Sequence, residues 1–487
     1  MSRAWPVSCA CCLALCACAV GPDFKPPQTP TAPAYAAAYD APPPSEQRLA
    51  LGEKLEGDWW AQFHSAALDQ LMRLALAGNQ DIAAAKSRVA QAQEEVNAAH
   101  GALLPQVSLG ATAGRQKYGA ALFGPLDITI PPFTYYTVGP TVSAPLDLFG
   151  GARRALEQQA AYAEYQRHEL DAAYLSLTAN VAAQALAAAA ARAQIEVVQG
   201  IVADDERNAA LVQTALDDGS ATRTQLLAAQ AQLAADRTLL PGLRQEESVA
   251  RHALAVLVGR APSDWSPPDI ALDEFVVPGQ IAASLPSELV HRRPDILAAE
   301  AQLHGACAAI GVATANLYPQ ITLSGSLTQQ ALSPGGLFNG AAVAWAMAAN
   351  LTQPLFNGGR LSAERRAALA GYQGALGAYR QVIVRSFGEV ADGLQALAND
   401  ADQFRAQSAA AQAASAALEL ARRSYAVGNS GILDVLDAQR SSAQAQLGLA
   451  RTKAQRLMDT ARLYLVLGGT PVPTEQAPAV VNLSGPA

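Results

Sequence analysis

Four stretches of the chain alternate apolar and polar residues with a period of two. Ile321, Leu323 and Leu327 alternate with Gln320, Thr322, Ser324, Ser326 and Thr328. Val343, Trp345, Met347, Ala349 and Leu351 alternate with small or polar residues that include Asn350 and Thr352. Nearer the N-terminus, Val107, Leu109, Ala111 and Ala113 alternate with Gln106, Ser108, Gly110 and Thr112, and a fourth stretch from Phe133 to Ala144 puts Tyr136, Val138 and Val142 on one face. Alternation over about 10 residues predicts strands of a barrel facing lipid on one side and water on the other. A soluble amphipathic sheet alternates in the same way, so both readings stand at this level. Four strands cannot close a barrel, since even small ones need about eight. A barrel therefore requires several chains.

Elsewhere the pattern is helical. Gly151 to Asp217 contains no proline over 67 residues, which predicts roughly 100 Å of continuous helix. Gly359 to Val427 is its counterpart. A globular core cannot bury a helix of that length. Toward the C-terminus, Leu433, Leu436, Arg440, Ala443, Leu447, Ala450, Ala454, Leu457, Ala461 and Tyr464 follow a 3,4 spacing, the seam of a coiled coil. In the equivalent first-half segment Pro241 is expected to kink or break the helix.

These elements recur. Asn79-Gln80-Asp81-Ile82 echoes Arg293-Pro294-Asp295-Ile296, and Leu104-Pro105-Gln106 echoes Tyr318-Pro319-Gln320, both at an offset of 214 residues. Pro145-Leu146, Gly219 and Gly259 recur as Pro354-Leu355, Gly428 and Gly468 at an offset of 209. Each half reads helix, two strands, long helix, turn, helix. The expected organisation is a leader at 1–17, an arm at 18–57, a first repeat at 58–260, a linker at 261–284, a second repeat at 285–470 and a tail at 471–487.

Composition narrows the function. The formal net charge of -8 argues against a nucleic-acid binder. No long apolar run follows the N-terminus, so helical membrane spans are not expected. Arg3 and the apolar stretch Val7 to Ala17 form an export signal. Five of the six cysteines lie in this region, and Leu15-Cys16-Ala17-Cys18 fits a lipoprotein processing site with Cys18 as the acylated residue. An ordinary cleaved signal rich in cysteine is the alternative. Pro22, Pro26, Pro27, Pro30, Pro33 and Pro42-Pro43-Pro44 make the following arm extended. No phosphate loop, nucleophile elbow or metal-ligand spacing among the histidines is present, so no enzyme and no cofactor beyond the lipid on Cys18 is expected.

Several motifs carry a resemblance: Cys18-Ala19-Val20-Gly21-Pro22-Asp23-Phe24, Trp59-Trp60-Ala61-Gln62-Phe63, Arg292-Arg293-Pro294-Asp295-Ile296 and Tyr425-Ala426-Val427-Gly428, the last continuing to Asp434-Val435-Leu436-Asp437-Ala438-Gln439-Arg440. With these, nearly the whole mature chain resembles the outer-membrane efflux protein family of TolC/OprM type, in its NodT-like lipoprotein branch. The resemblance implies a mainly α fold with membrane β: a homotrimer whose strands, four per subunit, form a twelve-strand transmembrane barrel, and whose long helical hairpins form an α-barrel in the periplasm. It implies an efflux channel embedded in outer-membrane lipid and working with a periplasmic adaptor (membrane fusion) protein and an inner-membrane RND-type pump. Adaptor docking falls at the hairpin tips, Gly219, Ser220, Gly428 and Asn429. Tyr425, Asp434 and Asp437 match the constricted periplasmic entrance. Their other reading is a solvated helix face. Arg292-Arg293-Pro294-Asp295 also reads as helix capping, and Trp59, Trp60 and Phe63 as packing. The competing class is a lipid-anchored periplasmic coiled-coil adaptor or scaffold, which would lack four alternating strands placed symmetrically in two repeats.

Overall fold

The computed structural model describes residues 19–28, 47–53, 57–119, 130–283 and 289–468. The leader, Cys18, most of the arm and the tail from 471 lie outside the described residues. The long elements follow the periodicity. The Pro-free runs form helices α3 (Gly151–Asp217) and α7 (Arg360–Ala426), each of 67 residues. They are preceded by α1 (Ala66–Gly78), α2 (Gln80–Gly101) and α6 (Pro294–Ala315). The return arm of the first hairpin is split into α4 (Arg223–Arg237) and α5 (Leu239–Leu257), whereas that of the second is one helix, α8 (Ile432–Val466). The break falls at Thr238, and Pro241 then sits in the first turn of α5, where the missing amide hydrogen is not needed.

Two sets of strands are present among the described residues. β2 (Gln106–Gln116), β3 (Phe133–Leu146), β5 (Gln320–Ala331) and β6 (Val343–Thr352) form one antiparallel sheet in the order β2-β3-β5-β6. β1 (Arg48–Leu51) and β4 (Gln280–Ala283) form a short parallel pair. This second pairing joins the arm to the inter-repeat segment, a contact the local pattern did not announce. That segment also places Ile270, Leu272 and Phe275 in a core.

The chain divides into two compact units. The first comprises residues 1–27, 88–167 and 298–380 and holds the four-stranded sheet. Here the segment after Cys18 is tied down. Val20 N–H donates to the Phe149 carbonyl at 3.0 Å. Arg154 donates to Asp23 at 2.7 Å, and Phe24 stacks on His304 with centroids 4.5 Å apart. The second unit comprises residues 28–87, 168–297 and 381–487 and holds the main core. Trp59, Phe63, Leu68, Leu71, Leu186, Leu254, Leu289, Leu457 and Tyr464 are all buried there. Windows of α3 and α6 are long and apolar enough to cross a membrane by composition. In α3 the residues Leu177, Val181, Ala185, Leu186 and Ala189 are buried in this core.

The C-terminal seam is only partly where the 3,4 spacing put it. Ala454, Leu457, Ala461 and Tyr464 are buried as expected. In the first three turns of α8 the buried residues are instead Ile432, Val435, Gln439 and Ser442, while Leu433 is exposed. Ile432 and Val435 pack on Val212, Leu226 and Leu418 from three other helices. That partner set fixes the helix rotation here, and a two-stranded seam does not describe it.

Candidate channel wall and hairpin tips

The sheet is built for a two-solvent environment. Its pairing matches Val107 with Val142, Val142 with Gly325, and Leu323 with Ala349, so one face collects the apolar positions of all four strands. That face is uncovered: Trp345 is 74 % and Met347 82 % exposed, and Leu109, Leu327 and Leu351 are exposed as well. The opposite face carries Ser108, Thr112, Thr141, Ser324 and Asn350, with Ser108 and Thr141 hydroxyls 2.7 Å apart. A contiguous apolar face of this size requires a covering, and polar residues on the other side suit water. β2 and β6 are the sheet edges, with one backbone ladder each left open.

The two hairpin tips lie in the second unit and share one construction. Gly219 at φ +73° and Gly428 at φ +78° take left-handed conformations with nothing near a notional Cβ; the backbone angle alone calls for glycine there. The next residue closes each helix end: Ser220 N–H donates to the Ala215 carbonyl at 2.8 Å, and Asn429 N–H to the Ser424 carbonyl at 2.9 Å. The following helix is then capped from its third residue. Thr222 N–H donates to Gln225 Oε1 at 2.7 Å, and Gly431 N–H to Asp434 Oδ2 at 3.0 Å.

The structure therefore brings Tyr425, Asp434 and Asp437 to one tip and gives each a local job. Tyr425 packs at the edge of the Val212, Leu226, Ile432 and Val435 cluster. Asp434 caps α8, as its counterpart Gln225 caps α4. Asp437 is exposed and accepts from Arg440 at 2.9 Å.

Below the tips lies a polar cluster that the sequence did not reveal. Gln439 donates to Asp205 Oδ1 at 2.9 Å and accepts from Asn208. All three are buried. Burial, with the neighbouring Asp236 and then Asp204, pushes the Asp205 carboxyl up to about 7. Asp400 is likewise pushed up to about 7, by burial and by Asp459, against the pull of Arg456. Asp204-Asp205-Glu206 reads in sequence as a solvated charge run; only the rotation of α3 against α8 buries its middle member. Gln439 had a visible signal, its place in the Asp434 to Arg440 motif. Arg293 also does more than cap: it donates to the Val466 carbonyl at 3.0 Å, to both oxygens of Asp295 and to Glu389 at 2.9 Å.

An uncovered apolar sheet on polar-lined strands, in a chain with paired 67-residue helices, defines a membrane-inserted channel subunit. Comparison with known proteins specifies it. The model of the outer membrane efflux protein family matches residues 71–260 and 285–469. The pyoverdine export outer membrane protein OpmQ of Pseudomonas putida is 33 % identical over 450 residues, 91 % of this chain and 94 % of that one. Outer membrane protein OprJ of Pseudomonas aeruginosa is 30 % identical over 467 residues, 94 % of each chain. The solved structure of the outer-membrane channel OprN superimposes with a TM-score of 0.85 at 28 % identity, over 93 % of this chain and 99 % of that one.

This chain belongs to the outer membrane efflux protein family. It is the outer-membrane channel component of an efflux system.

Proposed function

We propose that three copies of this chain form a continuous duct, with four strands from each closing a twelve-strand barrel in the outer membrane. The observation that carries this reading is the four-stranded sheet itself, apolar and uncovered on one face, polar on the other and open at both edges. A soluble coiled-coil adaptor has no use for an exposed Trp345 and Met347. Acylated Cys18 holds the start of the chain in the membrane. The bonds of Val20 to Phe149 and of Asp23 to Arg154 support this, because they fix the segment that follows the anchor. A periplasmic adaptor docks on the tips at Gly219, Ser220, Gly428 and Asn429, and an inner-membrane pump of RND type loads the duct. Tyr425, Asp434 and Asp437 line its periplasmic entrance. The carboxylates of three copies converge there, repel one another and favour cations.

Native mass spectrometry in detergent tests the assembly: the expected species is a trimer with lipid on its first residue. A stable folded monomer, or a mature chain without lipid at Cys18, contradicts the corresponding part of the reading.

A further inference from the structure

The four-stranded sheet is almost without charge, and its two exceptions fall together. Across residues 103–119, 130–146 and 318–352, the described strands and their flanks, Arg115 and Lys117 are the only side chains with a formal charge. Both are exposed, and neither has an acidic partner among the described residues. Asp127, the one acid in the sequence between β2 and β3, lies outside the described residues.

The register shows which way the two cations face. β2 pairs with β3 without a break from Gln106 opposite Ser143 to Gln116 opposite Phe133, so residue parity fixes the face along the whole strand. Arg115 therefore shares the apolar, uncovered face with Val107, Leu109, Ala111 and Ala113, and Lys117 follows one residue beyond the strand end. This is the end of the hairpin away from α2 and α3, which join it at the other end. Height agrees with face. The eight-residue step from Val107 to Arg115 covers about 27 Å along a strand. At the usual tilt of about 40° that is about 20 Å across the membrane, against an apolar band of about 25 Å. The flexible stem of Arg115 spans the remainder, so its guanidinium reaches the level of the lipid head groups.

The charges are not a by-product of the repeat. The offset of 214 residues carries Arg115 and Lys117 to Gln329 and Ala331, which stand on the same face of β5 and are neutral. The second hairpin ends this strand without charge, so ending a strand does not require it.

We propose that Arg115 and Lys117 form a binding site for the phosphate groups of lipopolysaccharide in the outer leaflet of the outer membrane. The site rests on the barrel assembly proposed above, which turns this end of the sheet outward. The apolar face from Val107 to Ala113 takes the acyl chains, and the two cations at its rim take head-group phosphate. A guanidinium presents its donors in a fork that matches phosphate oxygens, and the lysine adds a mobile point charge. The strands of a neighbouring copy cannot neutralise the pair, because they carry no acid.

Lipid retention by the purified full-length protein, read by native mass spectrometry, tests the site. The probes are bisphosphorylated lipid A, the same glycolipid without its phosphates, and phosphatidylglycerol. The parent is expected to hold bisphosphorylated lipid A about tenfold more tightly than either of the others, as charge-assisted hydrogen bonds to phosphate require. Arg115→Gln combined with Lys117→Gln is expected to lose that preference while keeping the native mass and strand content of the parent. Arg115→Lys combined with Lys117→Arg is expected to keep it. Equal retention of the three lipids by the parent, or a glutamine double variant that keeps the preference, overturns the site. If the native mass in that result is trimeric, the barrel still stands. A native mass of one chain overturns both.

Discussion

Trp59 stacks on Tyr464 with ring centroids 5.4 Å apart, joining the short 3-10 helix Trp59–Phe63 to the last turns of α8. Both side chains are buried, and the Tyr464 hydroxyl makes no hydrogen bond among the described residues. Burial pushes that hydroxyl up to about 12. The stabilising element is thus the ring contact and not the polar atom. Trp59→Ala is expected to cost about 3–5 kcal/mol, read as a lowered thermal midpoint. Tyr464→Phe is expected to be neutral or stabilising, because it removes an unsatisfied buried hydroxyl. A large loss in Tyr464→Phe would show that the hydroxyl has a role this packing does not explain.

Arg293 gathers Asp295, Glu389 and the Val466 carbonyl around one buried guanidinium. Removing it takes an ion-pair partner from two part-exposed carboxylates, of which Glu389 keeps Arg385, and a donor from the Val466 carbonyl, so Arg293→Ala is expected to cost about 1–3 kcal/mol. Arg293→Lys recovers only part of this, since an ammonium cannot bond Asp295 through two nitrogens. Chemical unfolding of the two variants checks the order: alanine worst, lysine intermediate.

Much of the fold was legible because its elements are long and regular. Proline-free runs gave both 67-residue helices, and period-two alternation gave all four strands of the sheet to within a few residues at their ends. Strand ends such as Gln329 to Ala331 were missed because pairing with β3 and β6, not local alternation, extends them. The β1–β4 pair joins segments more than two hundred residues apart, and neither is long enough to have a pattern of its own. At the tips, the glycines and the acids were visible. The capping role of Asp434 was also visible in principle, because Gly431 and Asp434 hold the positions that Thr222 and Gln225 occupy in the run Thr222-Arg223-Thr224-Gln225. The rotation of α8 near Ile432 was not visible, because three helices set it together.

The buried acids give the second unit a pH dependence with a definite sign. Asp205 and Asp400 stand at about 7 in the folded chain, against an ordinary 3.8. Between about pH 4 and about pH 7 the folded protein holds protons that the unfolded chain has released, so stability falls as pH rises through that window and levels off above it. Asp205→Asn and Asp400→Asn are expected to unfold at higher temperature than the parent at pH 8 and to lose less between pH 5.5 and 8. Thermal melts at the two pH values check this, and an unchanged slope in both variants contradicts it.

At the second tip, charge and capping separate. Asp434→Asn keeps an acceptor for Gly431 N–H while losing the charge, and Asp437→Ala leaves no cap unmade. The double variant is expected to fold and assemble as the parent does, to reduce cation-over-anion selectivity and to weaken block by multivalent cations. Reversal potentials in a salt gradient read the first effect. Tyr425→Phe, which keeps the ring against Ile432 and Val435, is expected to raise resting conductance if the hydroxyl ties neighbouring hairpins together.

The most direct test of the channel itself is conductance of the purified full-length protein in planar lipid bilayers. The account predicts discrete, cation-preferring current steps, with block by multivalent cations added on the side of the helical tips. Folded protein that inserts into the bilayer but passes no ions, in the parent and in Tyr425→Phe alike, would contradict it.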